Sequence, residues 1–171
     1  MTGIVGILLA AGSARRFGAP KLLQPLHDGV PVAAAAAQTL IQLLPNTIAV
    51  VRPGDCALAK IFRELGLHIV ENPLADEGMG SSLAVGVSAA ARADGWLIAL
   101  ADMPWIRPAT IAALAGRLMD GASMVAPVYA GRRGHPVGLS SRWLQPLLGL
   151  CGDVGARDLI ANHQQELELL D

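Results

Sequence analysis

Residues 8–21 read Leu-Leu-Ala-Ala-Gly-Ser-Ala-Arg-Arg-Phe-Gly-Ala-Pro-Lys, and they continue the apolar run of Ile4, Val5 and Ile7. An apolar strand that ends in a glycine-bearing turn with cations is the form a ligand loop takes at the carboxyl end of a first parallel strand. Gly12 and Gly18 let backbone N–H groups approach an anion, and successive N–H groups in a turn make an anion-binding concavity. Arg16 offers a planar fork and Lys21 a point charge, both matched to phosphate oxygens. The stretch therefore predicts a triphosphate cradle. The plainer alternative is a strand-to-helix turn with two solvated basic side chains. Spacing excludes two other phosphate loops. A P-loop needs lysine directly after its second glycine, whereas Ala19 and Pro20 separate Gly18 from Lys21, and Leu22 follows. A dinucleotide fingerprint needs a second glycine where Ala14 stands.

Working outward, apolar runs alternate with helical patterns. Strands are predicted near 4–10, 48–52, 67–71, 96–101, 123–128 and 166–170. Helices are predicted over 32–44, 56–65, 81–92 and 108–119, with shorter ones over 140–150 and 155–162. Leu58, Ile61, Phe62 and Leu65 fall at i, i+3, i+4 and i+7, a single helical stripe. Pro45 stops the alanine-rich helix, and Pro108 suits a helix start. The Ala33–Ala37 run reads as a helix face packed closely on a sheet. Gly131-Arg132-Arg133-Gly134 reads as a tight turn within an antiparallel hairpin over 123–140. Strands separated by helices of 10–15 residues are the mark of βαβ units. The expectation is an α/β fold, a three-layer, doubly wound, mostly parallel sheet, forming one domain over residues 1–171.

Composition narrows the function classes. With 53% hydrophobic and only 4% aromatic residues, the core must be built from Leu, Val, Ile and Ala. A net charge of −1 with no Lys/Arg run argues against nucleic-acid or anionic-membrane partners. No apolar run reaches the ~18–20 residues of a membrane span. The N-terminal apolar stretch reads as a strand rather than a leader. Cys56 and Cys151 are too few for a disulfide framework or zinc site, and are expected as buried thiols in a cytoplasmic protein. Trp96, Trp105 and Trp143 are spread along the chain and are expected as core or rim packing.

Four further motifs carry chemistry. Asp102, in Ala101-Asp102-Met103-Pro104, follows a predicted buried strand and so faces the crevice of the Gly12 turn. A hard carboxylate there suits Mg²⁺ held jointly with substrate phosphates, a turn or capping role being the alternative. Glu71-Asn72-Pro73 ends another strand. Gly78-Met79-Gly80-Ser81-Ser82-Leu83 opens the next helix, where Gly80, Ser81 and Ser82 form a close-approach polar surface, with N-capping by a serine as the plain function. Gly131–Pro136 carries Arg132, Arg133 and His135, which either present cations to a phosphorylated second substrate or form a solvated turn. Asp153 is a second candidate metal carboxylate or the N-cap of the last helix.

The pattern L-A-A-G-x-x-x-R-x-G-x-x-K at 9–21, E-N-P at 71–73, G-M-G-S-S-L at 78–83, A-D-M-P at 101–104, G-R-R-G-H-P at 131–136 and G-D-V-G-A-R at 152–157 together resemble the molybdenum cofactor cytidylyltransferases of the MobA-like nucleotidyltransferase family. The resemblance implies a Rossmann-like nucleotidyltransferase fold and transfer of CMP from CTP to the terminal phosphate of molybdopterin, with release of pyrophosphate. It implies Mg²⁺ on Asp102 and Asp153, with Lys21, Arg16 and Asp102 as the catalytic set. Nucleotide contacts fall to Leu9, Ala10, Ala11, Gly12, Arg16, Lys21, Asn72, Gly80, Ser81 and Ser82, and the second substrate to Arg132 and His135. An apo-molybdoenzyme is an implied recipient of the product. Leu9-Ala10-Ala11-Gly12 with Pro20-Lys21, in place of a Leu-Ala-Gly-Gly turn and an Asp-Lys pair, favours CTP over GTP. Ala101 and Met103 depart from the Cys-Asp-Gln-Pro form of this branch, but the aspartate is kept. The rival readings are a non-catalytic cofactor carrier and a sugar- or polyol-phosphate nucleotidyltransferase.

Overall fold

The computed structural model describes residues 3–12 and 21–171, so Arg16 and Gly18 of the predicted cradle lie outside the described residues. In chain order the elements are β1 (Ile4–Leu9), α1 (Val32–Leu43), β2 (Ile48–Val51), α2 (Cys56–Glu64), β3 (His68–Glu71), α3 (Met79–Ala89), β4 (Gly95–Leu100), α4 (Pro108–Met119), β5 (Met124–Tyr129), β6 (Arg132–Arg133), β7 (Val137–Ser140), α5 (Leu144–Leu148), α6 (Arg157–Asn162) and β8 (Leu167–Leu170).

One sheet runs in the order β3-β2-β1-β4-β7-β5-β6, and β8 also pairs with β5. β3, β2, β1 and β4 are mutually parallel, as are β5 and β8. β7 is antiparallel to both neighbours, and β6 is antiparallel to β5. The expected hairpin excursion is therefore internal: its return strand is wedged between β4 and β5, with Leu139 opposite both Trp96 and Met124.

Alternation along the strands divides the core. Val5, Ile7 and Leu9 of β1 face one helix layer with Leu83 and Val87 of α3, while Leu8 faces the other with Ala33, Ala37 and Leu40 of α1. The alanine run thus packs on the sheet as its sequence predicts. α3 lies equally close on the opposite face. A Cβ at Gly86 would fall 2.7 Å from Ile7 Cγ2 and 3.0 Å from Val50 Cγ2, so glycine is what lets this helix settle.

Several local expectations change. α3 begins at Met79, and the 140–150 segment starts as the last residue of β7 and a 3₁₀ turn before α5. Arg132 and Arg133 lie in β6, and the bend falls on Ala130 and Gly131, at φ 49° and 72°. Cys56 and Cys151 are exposed rather than buried. Trp96 and Trp143 are buried, but Trp105 is 74% exposed, because it sits in the loop that leaves the sheet edge after Pro104. Among the described residues no helix is long and apolar enough to cross a membrane.

Candidate active site

The carboxyl ends of β1, β2 and β4 are locked side by side. Ala10 N–H donates to the Val50 carbonyl at 2.9 Å, and Ala101 N–H donates to the Leu9 carbonyl at 3.1 Å. These bonds bring Gly12, Arg52 and Asp102 to one edge, the position where open α/β sheets bind ligands. A cavity of about 460 Å³ opens there. Leu9, Ala10, Ala11, Gly12, Lys21, Ser82, Asp102 and Asp153 all line it, as do Arg52, Asp76 and Met79.

Lys21 opens a 3₁₀ turn whose Leu22 and Leu23 pack on the α1-side core, so its stem has a fixed origin. Its Nζ donates to Asp102 Oδ2 at 3.2 Å across 81 residues of sequence. Both side chains stay about half exposed, at 48% and 43%. Such a pair contributes at most about 1 kcal/mol to stability. Its interest is chemical, since it sets an ammonium and a carboxylate on one wall. Asp153 faces the same cavity and does not cap α6, whose N-cap is Ala156. Arg52 follows β2, and its Nη1 donates to Asp76 Oδ1 at 2.8 Å. Its Nε is buried with no hydrogen-bond partner among the described residues.

The charged groups on the described wall are Lys21 and Arg52 against Asp76, Asp102 and Asp153. Asp102 and Asp153 set two hard oxygen donors on the described wall. No group of three or more His, Cys, Asp or Glu side chains forms a metal cage among the described residues. Mg²⁺ does not require one, because it is held by one or two carboxylates with substrate phosphates and water completing its shell. The donor set therefore fits such an ion.

Asn72, Gly80 and Ser81, expected as nucleotide contacts, stand behind this wall rather than on it. Asn72 is fully buried. Its Nδ2 donates to Ser81 Oγ at 3.0 Å and Ser82 Oγ at 2.9 Å, and its Oδ1 accepts from Leu74 N–H at 2.9 Å. Neither serine caps α3. Its N-cap is Gly78, which makes no side-chain bond, and Ser81 Oγ lies 2.8 Å from the Leu74 carbonyl and 2.9 Å from that of Gly78. Gly80 N–H donates to the Gly152 carbonyl at 2.7 Å.

Arg132 and His135 lie outside the cavity, on the hairpin beside β4. Arg132 is exposed and His135 half-buried. Burial chiefly, then the Arg133 charge, holds the His135 imidazolium below its ordinary value of 6.5, with the Asp102 carboxylate opposing. The unfolded chain therefore binds this proton more readily than the native one. Its contribution is intact above pH 6.5, and stability falls as pH drops below that value towards the native pKa. Urea unfolding across about pH 5 to 8 should show a slope near and below pH 6.5 that is shallower in His135→Gln. An unchanged slope would move the effect to another group.

Arg52, Asp76 and Met79 are cavity residues that the motif reading passed over. Arg52 carried a usable signal, a cation directly after the apolar run Ile48–Val51, the same strand-end logic that picked Asp102.

A model of the MobA-like NTP transferase domain matches residues 6–167. The chain is 31% identical to the nicotine blue oxidoreductase of Paenarthrobacter nicotinovorans, over 98% of this chain and 86% of that protein. It is also 31% identical to the purine catabolism protein PucB of Bacillus subtilis (strain 168), over 94% and 82%. Among solved structures, Rv0371c of Mycobacterium tuberculosis H37Rv superposes with a TM-score of 0.83 at 29% identity, covering 99% of this chain and 87% of that one. Its manganese complex gives 0.80 at 26%, covering 98% and 87%. A nucleotidyl transferase of Methanothermobacter thermautotroptrophicus gives 0.83 at 25%, covering 98% and 86%. A related protein thus takes up a divalent metal on this three-layer α/β nucleotidyltransferase fold. With a sheet-edge cavity, a strand-end aspartate and a family model spanning nearly its whole length, the chain belongs to the MobA-like NTP transferase family.

Proposed function

We propose that this protein transfers a nucleoside monophosphate, CMP from CTP, to a phosphorylated acceptor and releases pyrophosphate. Family membership supports transfer from a nucleoside triphosphate donor. The observation that carries the reading is the meeting of Lys21 and Asp102 on the wall that also holds Gly12 and Asp153. Asp102, with Asp153, is the place for Mg²⁺, which when bound neutralises phosphate oxygens. Lys21 and Arg16 stabilise the charge on the departing pyrophosphate. The Leu9–Gly12 backbone and Ser82 seat the nucleotide, and Asn72 and Ser81 hold that seat in shape. An acceptor phosphate oxygen attacks the α-phosphorus as the bond to the β-phosphate oxygen breaks, so alignment and charge do most of the work.

On the acceptor side Arg132 and His135 are the proposed contacts. Molybdopterin is the acceptor that the motif resemblance favours, with an apo-molybdoenzyme receiving the product. A sugar or polyol phosphate is the second reading, because family membership supports a nucleoside triphosphate donor without specifying the acceptor. Pyrophosphate release, measured with each of the four nucleoside triphosphates and Mg²⁺, against molybdopterin, a polyol phosphate and no acceptor, separates them. Turnover only with CTP and molybdopterin supports the first reading. Turnover with the polyol phosphate supports the second. Molybdopterin binding without turnover of any triphosphate overturns both in favour of a carrier.

A further inference from the structure

We infer that Gly80 is a positioning residue for Asp153: the first turn of α3 is the template that fixes where the second carboxylate stands in the cavity. The inference rests on the metal role proposed for Asp153. A glycine early in a helix invites the reading of close approach to a nucleotide. Here the close neighbour is the chain itself.

A Cβ at Gly80 would lie 2.6 Å from the Cys151 carbonyl oxygen, 2.8 Å from its carbon and 2.9 Å from the Gly152 oxygen. All three are backbone atoms, so no side-chain rotation relieves them. The Gly80 N–H, one of those a helix leaves unpaired in its first turn, is spent on the Gly152 carbonyl at 2.7 Å. Gly78, at φ 118°, is overlain in the same way. A Cβ there would meet the Gly152 carbonyl carbon at 2.5 Å and Asp153 Oδ1 itself. Two glycines on α3 and its cap thus form the floor on which 151–153 rests. Gly152, at φ 70°, makes the turn that points the next residue at the cavity. Met79, between the two glycines, lines the same cavity. The segment that shapes the nucleotide seat therefore also sets the second carboxylate.

The test is Mn²⁺ binding, followed by electron paramagnetic resonance on the full chain saturated with α,β-methylene-CTP. Asp153→Asn is expected to weaken Mn²⁺ about tenfold, and Gly80→Ala to weaken it by about the same factor, the usual cost of disturbing a ligand's support. Mn²⁺ affinity should fall further in Gly80→Ala than binding of the analogue without metal does, a split that general loosening of the fold would not give. The double variant should bind Mn²⁺ no more weakly than Asp153→Asn alone, because the two act as one unit. Gly152→Ala reaches the same hydrogen bond from the loop side and replaces Gly80→Ala should the latter not fold. Gly116→Ala, on α4 with open space at its Cβ, should leave Mn²⁺ affinity unchanged. Independent, multiplying effects of Gly80→Ala and Asp153→Asn, or unaltered Mn²⁺ affinity in Gly80→Ala, overturn the inference and leave the proposed reaction standing. Failure of the unaltered protein to bind Mn²⁺ with the analogue overturns both.

Discussion

Replacing Asp102 with alanine is expected to lower nucleotidyl transfer by at least about a thousandfold and to leave the fold intact. The two halves have separate physical grounds. Asp102 is 43% exposed, and among the described residues its hydrogen-bond partner is Lys21 at 3.2 Å, itself 48% exposed. Losing an exposed pair costs at most about 1 kcal/mol, a shift of a few degrees in Tm for a chain of this size. The chemical loss is far greater, because Asp153 is the one other proposed metal carboxylate on a wall that must accept a triphosphate. Steady-state pyrophosphate release and a thermal melt of the same preparation check both. Turnover within tenfold of the parent protein, with the same metal dependence, would remove Asp102 from the metal role.

The second large effect is on stability and comes from a residue that touches no cavity. Asn72→Ala is expected to cost about 2–4 kcal/mol, because it removes three hydrogen bonds of one fully buried side chain at once. The Leu74 N–H loses its acceptor, and Ser81 and Ser82 lose the shared donor that ties them to the end of β3. Asn72 is fully buried, so water does not readily take its place. For a chain of this length that is roughly 5–15 °C in Tm. Because Ser82 is on the wall, the KM for the triphosphate should rise as well. A melt unchanged by the substitution would show that water or a local shift supplies the missing bonds.

The sequence told β1 and its turn apart from other phosphate loops because that reading needs only spacing and residue type within fourteen residues. Asp102 was legible for a similar reason: a polar residue after a run of buried apolar ones stands at a strand end. What could not be read locally was which face a strand-end residue presents. Asn72 and Arg52 both stand directly after a strand, yet one is sealed behind the wall and the other lines it. The purpose of Gly80 depends on a loop some seventy residues further on, and the seat of β7 between β4 and β5 depends on partners that no periodicity names. Trp105 looks like core by composition, but the turn at Pro104 carries it outward.

The antiparallel strand at the centre of the sheet has a consequence for how the chain is made. β4 can pair with β1 as soon as residue 100 is available, yet its other side stays bare until Val137–Ser140 arrives. A nascent or truncated polypeptide ending at Met119 would present the Trp96–Ile98 stretch as an unprotected edge, the kind of surface on which chains aggregate. The last third of the molecule therefore acts as its seal, and the strand leading away from the proposed acceptor arm is the piece that closes it.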